Sequence, residues 1–244
     1  MSEVRYPVVE LRQYTLHPGR RDVLISLFDR EFVETQEAVG MAVIAQFRDL
    51  DDPDRFVWLR GFADMPSRAE ALGRFYGGPV WKTHKDQANA TMIDSDDVLL
   101  LRPVGPRTGF PAPGDARAPV GYPTPPPSAV LATLYYRDHP FDQAFVDFFD
   151  HQVRPVLIET GAEPLACLQS EHAQNTFPAL PVRVGENVFV WFARFPSPVD
   201  LDNHLHRLEH CDRWRDRVLP ALSTMVTGPP QRLRLAPTAR SLLR

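Results

Sequence analysis

The pattern of apolar and polar residues in the first half of the chain predicts the order β-α-β-β-α-β. Runs rich in β-branched and aromatic residues predict four strands, at residues 8–16, 41–47, 55–62 and 98–102. Apolar residues at three-to-four spacing predict a helix between Pro18 and Gly40. They also predict a second helical region over residues 67–93, which is weakened at residues 77–79 (Gly-Gly-Pro) and resumes at Val80. This order is that of the split βαβ, or ferredoxin-like, unit.

The second half of the chain repeats this order. It has predicted strands at residues 129–137, 165–169, 187–195 and 231–235 and predicted helices over residues 141–161 and 201–225. Pro155 lies inside the first of these helices and predicts a kink or an early end there. Compared with the first half, about twelve extra residues fall in the second hairpin, around residues 171–186. A long loop on a rigid scaffold is often functional, although a tolerated surface insertion explains it as well.

The four tryptophans follow the same repeat. Phe-Val-Trp occurs at residues 56–58 and again at residues 189–191, and a second tryptophan follows each copy 23 residues later (58 to 81 and 191 to 214). A repeat of this length, far longer than a solenoid unit, indicates two copies of one small domain.

Proline marks the boundary between the two copies. Nine of the 25 prolines fall between Pro103 and Pro127, interleaved with four glycines. Such a segment has few amide donors and fixed φ angles, so it predicts an extended, semi-rigid connector. We therefore expect a first domain over residues 1–103, a linker over residues 104–128 and a second domain over residues 129–237.

Composition excludes several classes of function. A net charge of −4 and a pI near 6.1 argue against a nucleic-acid partner. No apolar run approaches the ~20 residues of a membrane span, and the first six residues lack the pattern of a secretory signal. With only two cysteines, a disulfide scaffold is not expected and a cytoplasmic location is the default.

The opening residues carry a resemblance to a known family. The segment Val9–Gly19 reads VELRQYTLHPG. It looks like the opening of the NIPSNAP family, in which a strand with Glu-Leu-Arg is followed by Tyr-Thr-Leu and a Pro-Gly helix start. The resemblance continues through Phe56, Trp58 and Trp81 to a closing Leu-Leu-Arg-Pro that ends at Pro103. The second half departs from it, because its first strand lacks both the Glu-Leu-Arg triplet and the Pro-Gly pair.

The resemblance implies a dimeric α/β-barrel fold. Two tandem ferredoxin-like units of class α+β would then form an intrachain barrel, with two four-stranded sheets facing each other and helices outside. Pairing would bury the apolar face that each sheet leaves uncovered. Relatives with this fold include cofactor-independent monooxygenases and several haem proteins, and the fold also allows a homo-oligomer. The NIPSNAP family has no single agreed chemistry, so the fold alone does not name a reaction.

Candidate ligand-pocket residues lie in the first half. They are Trp58, Arg60, Tyr76, Trp81 and His84. On a helix Trp81 and His84 share a face, so an aromatic and a titratable group could line a cleft between helix and sheet. The alternative is that Trp81 only anchors the core and His84 lies at its solvent edge. Arg217 stands where the second half would have His84, so the histidine is not part of the shared scaffold.

Other motifs carry less information. His206 and His210 are spaced like two metal ligands on a helix, but a solvated helix face explains them equally. The sequence has no Gly-rich phosphate loop, nucleophile elbow or Cys-x-x-Cys pair. We therefore predict no metal site, no cofactor and no identifiable catalytic residue.

These observations lead to one hypothesis and two rivals. We expect a NIPSNAP-like α/β-barrel protein that binds a small hydrophobic molecule, and oxygenase-like activity is an open extension of that function. The first rival is a non-catalytic protein-interaction or scaffold module whose tryptophans serve only packing. The second rival is haem binding.

Overall fold

Eight antiparallel strands close into one barrel in the computed structural model, which describes residues 5–114 and 116–244. The strands are β1 (Val8–Leu16), β2 (Ala42–Asp49), β3 (Arg55–Phe62), β4 (Met92–Pro103), β5 (Ala129–Arg137), β6 (Pro164–Ser170), β7 (Asn187–Phe195) and β8 (Gln231–Pro237). Their order around the barrel is β1-β3-β2-β8-β5-β7-β6-β4, so each half contributes four neighbouring strands. The predicted intrachain barrel of two ferredoxin-like units is therefore confirmed.

The two halves join at two seams, where β2 pairs with β8 and β4 pairs with β6. Both seams are antiparallel and both lie within one chain. A closed barrel leaves no open sheet edge, so a second copy is not needed to complete it. A further homo-oligomer stays a prediction.

Short helices lie between the strands. They are α1 (Arg21–Leu27), α2 (Val33–Glu37), α3 (Met65–Tyr76), α4 (Pro79–Asn89), α5 (Gln143–Phe148), α6 (Arg154–Glu159), α7 (Pro198–His210) and α8 (Leu219–Ser223). Five-residue π-helical turns lie at Phe28–Phe32, Phe149–Val153 and Trp214–Val218. No helix in the described part of the chain is both long and apolar enough to cross a bilayer.

Apolar side chains form three separate clusters, because successive strand residues point to opposite faces. In β1, Val9 and Leu11 belong to the cluster inside the barrel, whereas Val8 and Tyr14 belong to an outer cluster. The inner cluster draws on both halves and contains strand residues together with Phe110. Each outer cluster packs the helices of one half against its own strands. Two helix–sheet layers, one per half, therefore surround a common apolar barrel.

The predicted end of the second helical region is wrong. The region expected over residues 67–93 divides at Gly77 and Gly78, where a weak point was expected, but Met92 already belongs to β4. Gly78 has an extended backbone just before Pro79, which fits the first turn of a new helix. Met92 pairs with Leu16 of β1, and this pairing extends β4 beyond what the local pattern indicated.

The expected irregularity at Pro155 takes the form of a π-helical turn. Phe149–Val153 is π-helical, and Pro155, which has no N–H to donate to the preceding turn, follows it at the beginning of α6. The first half has a π-helical turn at the matching place, Phe28–Phe32, with no proline. The irregularity therefore belongs to the shared fold and not to Pro155 alone. In the second half the expected helix over 201–225 is divided between α7, the turn at Trp214–Val218 and α8.

The proline-rich segment packs against the barrel. Phe110 is buried, and its ring centroid lies 5.0 Å from that of Phe192 in the inner cluster. The Arg117 guanidinium donates to the Val43 carbonyl at 2.7 Å and to the Glu37 carboxylate at 2.6 Å. The described part of residues 104–128 forms no helix or strand. The proposed domain limits remain a prediction. Residues 1–4 and 115 lie outside the described residues. Most of the segment that was examined for a secretory signal is therefore not described either.

Candidate functional site

Strand register makes the outer faces of the two halves directly comparable. In the first half Arg12 lies opposite Trp58 and Glu10 lies opposite Arg60. The same positions of β5 and β7 pair Thr133 with Trp191 and Leu131 with Ala193. Asp64 and Ser197 are the N-caps of α3 and α7, so they occupy equivalent positions in the two halves. Arg68 and Leu201 follow their N-caps at the same distance along the chain and are therefore equivalent as well. Four charged residues of the first half (Glu10, Arg12, Arg60, Arg68) therefore correspond to Leu131, Thr133, Ala193 and Leu201 in the second.

Those four residues form a buried group, here called the arginine cluster. Arg60 donates through Nε to Glu10 Oε2 at 2.8 Å, and Arg12 donates through Nη1 to the same oxygen at 2.7 Å. Arg68 donates through Nε to Glu10 Oε1 at 2.6 Å. None of the four side chains is more than 1% exposed. Both oxygens of one carboxylate are thus engaged by three guanidinium groups.

Charge keeps Glu10 ionised inside this cluster. Burial alone would raise the pKa of Glu10, but Arg60, Arg12 and Arg68 together outweigh burial and hold that pKa well below its usual range. Three cations and one anion leave a net charge of +2 in a region closed to water. Such an arrangement is costly unless further polar groups compensate it.

Neutral side chains supply part of that compensation. Arg12 donates to the Tyr14 hydroxyl at 2.9 Å, and Arg60 donates to Gln36 Oε1 at 3.2 Å. Arg68 donates to Asn175 Oδ1 at 3.0 Å, a residue of the long loop between β6 and β7. The inserted loop of the second half therefore reaches across to the charged centre of the first.

Four of the five predicted pocket residues meet beside this cluster. The Arg60 guanidinium lies 5.1 Å from the Trp58 ring and 6.0 Å from the Tyr76 ring, and the Tyr76 and Trp81 rings are 4.9 Å apart. His84 lies farther out, with Nε2 3.5 Å from Glu31 Oε2 and its side chain one-quarter exposed. This position agrees with the solvent-edge interpretation of His84. A ligand role for the five residues stays a prediction.

The space among these aromatic residues is small. Trp58, Tyr76 and Trp81 line a cavity of about 30 Å³, and Phe177 of the long loop stacks on Tyr76 with centroids 6.0 Å apart. A cavity of this volume has room for roughly two waters, whereas pockets for organic ligands are ~300–1,000 Å³.

The equivalent layer of the second half contains a much larger space, the second-half pocket. This pocket has a volume of about 540 Å³ and lies between β5, β7 and the segment from α7 to α8. Trp191 and Trp214, the counterparts of Trp58 and Trp81, both line it. Its apolar lining also includes Leu131, Leu157, Leu208, Leu222 and Val226. The half of the chain that contains this larger pocket has uncharged side chains at the four positions that form the arginine cluster in the other half.

Two buried polar atoms in the pocket lining lack a hydrogen-bond partner among the described residues, namely Thr133 Oγ1 and His204 Nε2. His204 Nδ1 lies 3.2 Å from the Thr160 carbonyl oxygen, which can only accept. The neutral imidazole therefore carries its proton on Nδ1 and leaves Nε2 as an acceptor. A third polar group, the Tyr135 hydroxyl, accepts from Trp191 Nε1 at 3.5 Å.

His204 is held neutral. Burial lowers its pKa to about 4, with Arg207 and Arg232 adding to the effect and the hydrogen bond to Thr160 opposing it. A histidine in the unfolded chain titrates near pH 6.5. Between these two values the unfolded chain binds a proton that the folded chain does not, so acid favours unfolding.

We expect His204→Phe to remove part of the acid sensitivity of this protein. In the wild type, protonation of the unfolded chain at His204 should lower the free energy of unfolding by up to about 2 kcal/mol between pH 6.5 and pH 4. Urea denaturation of both proteins across this range measures the effect. Burial raises the pKa of Asp29 to about 6, so protonation of Asp29 stabilises the folded state of both proteins as the pH falls. Only the difference between the two pH profiles therefore reports on His204. Parallel pH profiles would contradict the prediction.

Sequence reasoning missed the second-half pocket and three members of the arginine cluster. Glu10 and Arg12 were visible only as part of a family motif, and Arg68 carried no signal of its own. The loss of Glu-Leu-Arg from β5 was the available indication that the two layers differ.

His206 and His210 are exposed on α7 with ring centroids 4.2 Å apart, and neither lines the pocket. No group of three potential metal ligands occurs among residues 5–114 and 116–244.

Comparison with known proteins confirms the resemblance of the first half. Residues 9–106 match the family model for NIPSNAP. A "Putative monooxygenase" from Fusobacterium nucleatum is similar over 98% of this chain and 94% of its own, with 11% identity and a TM-score of 0.55. Another "putative monooxygenase", from Lactobacillus acidophilus, is similar over 96% and 94%, with 11% identity and a TM-score of 0.51. At these identities the two structures share the fold alone. A search of curated proteins finds no match.

Proposed function

We propose that this two-unit barrel protein, with a NIPSNAP match over residues 9–106, binds a small, largely apolar molecule in its second-half pocket. The observation that carries this proposal is the pocket of about 540 Å³ with Thr133 Oγ1 and His204 Nε2 unpaired in its buried lining. Sites for organic ligands typically combine an apolar lining with a few polar groups that fix orientation. The pocket fits that description.

The polar groups narrow the ligand class. An unprotonated His204 Nε2 accepts a hydrogen bond but is covered by its neighbours, so a ligand that displaces this cover and carries an O–H or N–H donor is favoured. The Thr133 hydroxyl can either donate or accept. Flat aromatic surfaces at Trp191 and Trp214 suit a ring system. A hydroxylated aromatic molecule satisfies all of these features.

Titration with 1-naphthol and naphthalene tests the proposal. We expect 1-naphthol to bind about tenfold more tightly than naphthalene, because its hydroxyl satisfies a buried acceptor that naphthalene leaves unpaired. Quenching of tryptophan fluorescence measures both affinities. The proposal would be contradicted if neither compound binds, or if 1-naphthol and naphthalene bind with equal affinity.

Two variants at one position serve as a matched pair. Thr133→Phe should place a ring in the pocket and abolish binding of both compounds, whereas Thr133→Val keeps the shape and removes only the hydroxyl. We expect Thr133→Val to bind naphthalene as the wild type does. If Thr133→Phe retains wild-type affinity for naphthalene, the ligand binds outside the second-half pocket and the proposal is wrong.

Oxygenase-like activity is a narrower proposal for the same pocket. It is supported by the shared fold and by the expectation from the sequence, but a histidine with a pKa of about 4 is a weak base for removing a phenolic proton. Binding without catalysis is therefore our first choice. Oxygen consumption by the purified protein with 1-naphthol, absent in Thr133→Phe, would favour the oxygenase.

The rival functions have their own tests. A scaffold module would leave 1-naphthol unbound and would be unaffected by Thr133→Phe. Haem binding would sharpen and shift the Soret band of free haemin in a titration that saturates with protein. A Soret band that stays that of free haemin would remove haem from consideration.

A further inference from the structure

We propose that Arg232 binds the carboxylate of an amphipathic acid whose apolar part lies in the second-half pocket. This inference rests on the proposed function, because it assigns a charged end to the same ligand. Arg232 belongs to β8, lines the pocket and has an exposed side chain. Since burying a carboxylate is costly, such a ligand keeps its charged end at the rim, where water reaches it, and buries only its apolar part.

Strand register fixes where the Arg232 side chain begins. Arg232 lies opposite Thr133 in the antiparallel pair of β5 and β8. Directly opposed residues of such a pair have their side chains on the same face of the sheet. Both residues line the pocket, and the buried Thr133 hydroxyl has no hydrogen-bond partner among the described residues. A cation and a free hydroxyl therefore start from neighbouring positions on one wall of the pocket.

The charge of Arg232 acts inside the pocket. Burial raises the pKa of Tyr135, and the positive charge of Arg232 opposes this effect. Burial lowers the pKa of His204, and Arg232 adds to that effect. Tyr135 lies on β5 and His204 on α7, and both line the pocket. One guanidinium thus influences polar groups on two walls, which agrees with a charge directed toward the pocket.

Arg232 also lacks the acidic partners that its neighbour on the strand has. Arg234, two residues farther along the same face of β8, pairs with Asp51 and Asp202 and does not line the pocket. In the part of the chain that the structure describes, no ion pair or hydrogen bond joins the Arg232 guanidinium to another residue. One uncompensated cation matches a monoanion. A carboxylate fits the planar guanidinium with two parallel hydrogen bonds.

Two further charged residues line the pocket. Arg215 is already compensated by two aspartates beside it on the same helical segment. Glu209 would repel a carboxylate, but it follows His204 by five positions in α7 and is therefore rotated by about 140° from it around the helix axis. Arg232 is among the groups that shift the pKa of His204, whereas Glu209 is not. The carboxylate therefore belongs on the β8 side of the pocket.

Calorimetric titration of the full chain with 2-naphthoate and its methyl ester tests the proposal. The two compounds share the ring system, but only 2-naphthoate is charged at neutral pH. We expect 2-naphthoate to bind about tenfold more tightly, because its carboxylate accepts charge-assisted hydrogen bonds from Arg232. The ester is the more apolar compound, so hydrophobic burial alone predicts the opposite order. Equal affinities, or tighter binding of the ester, would overturn the proposal.

Variants on one strand identify the group responsible. Arg232→Gln should remove the preference for 2-naphthoate and leave the affinity for the ester unchanged, whereas Arg232→Lys, which keeps the charge, should retain part of the preference. Arg234→Gln is the matched control, because it changes an arginine on the same face that is already paired. It should bind both compounds as the wild type does. An undiminished preference in Arg232→Gln would overturn the proposal.

The outcomes separate this inference from the proposed function. If 1-naphthol and naphthalene bind as expected but 2-naphthoate shows no preference over its ester, the second-half pocket stands and only the role of Arg232 is wrong. If none of the four compounds binds, both proposals are wrong. A preference for 2-naphthoate that depends on Arg232 and is lost in Thr133→Phe would support both.

Discussion

Replacing Glu10 by glutamine should lower the free energy of unfolding by about 4 kcal/mol or more. Removing one partner of a buried ion pair typically costs ~3–5 kcal/mol, because the remaining charge is left without compensation. Here a single carboxylate serves three guanidinium groups, at 2.6, 2.7 and 2.8 Å. Its loss leaves Arg12, Arg60 and Arg68 as three buried cations. Urea denaturation followed by circular dichroism measures the change.

A control and a rescue make this prediction specific. Glu31→Gln removes a partly exposed carboxylate that pairs with Arg30 at 2.7 Å, and its cost should stay below about 1 kcal/mol. The rescue introduces the second-half residues throughout the cluster, as Glu10→Leu, Arg12→Thr, Arg60→Ala and Arg68→Leu combined. Removing the whole charged group leaves no uncompensated buried charge, so its cost is reduced to that of the volume lost at Arg12→Thr and Arg60→Ala.

We expect the fourfold variant to be more stable than Glu10→Gln. If it is equally unstable, charge compensation is not the reason for the loss. If Glu10→Gln behaves like Glu31→Gln, the cluster does not depend on its carboxylate.

The second large effect concerns the repeated tryptophans. Trp58→Ala should destabilise the protein by about 4 kcal/mol, whereas Trp191→Ala should cost about half as much. The Trp58 ring is enclosed, with the Phe28 ring at 4.8 Å, the Tyr14 ring at 6.0 Å and the Arg60 guanidinium at 5.1 Å. Trp191 lines the second-half pocket, and we expect neighbouring side chains to relax into that space when the ring is removed, which lowers the cost of the cavity left behind.

Comparing the two alanine variants under the same denaturation conditions checks this difference. Both residues occupy the same position in the repeat and both are about 2% exposed, so burial alone predicts equal costs. Equal losses would mean that the second-half pocket closes around Trp191 in solution. A larger loss for Trp191→Ala would reverse the assignment of the packed and open layers.

Much of the fold could be predicted from local sequence signals. Strands such as Val8–Leu16 and Asn187–Phe195 combine β-branched and aromatic residues between clear turn signals, and their predicted bounds agree with the structure. The helical region before β4 could not be delimited in this way. Met92 and Ile93 fit a helical pattern, and only the pairing of Met92 with Leu16 makes them part of a strand.

Less of the candidate sites could be predicted. Trp58, Arg60, Tyr76 and Trp81 were expected to lie together, since strand and helix periodicity places them on facing surfaces. His84 follows the same helical periodicity but lies at the outer edge beside Glu31. Arg68 joins Glu10 only through the packing of α3 on β1, and Asn175 reaches Arg68 only through the path of the long loop.

The sequence by itself determined the two-unit architecture, because strand alternation, helix periodicity and a repeated tryptophan spacing are local properties that survive in a linear chain. The tertiary structure alone decided which layer is closed and which is open. That outcome depends on side chains brought together from distant segments. Three arginines, their shared carboxylate and a crossing loop occupy the layer beside Trp58, while Leu131 and Thr133 line the second-half pocket beside Trp191. Volume and charge compensation are properties of that assembled packing, and no single stretch of sequence contains them.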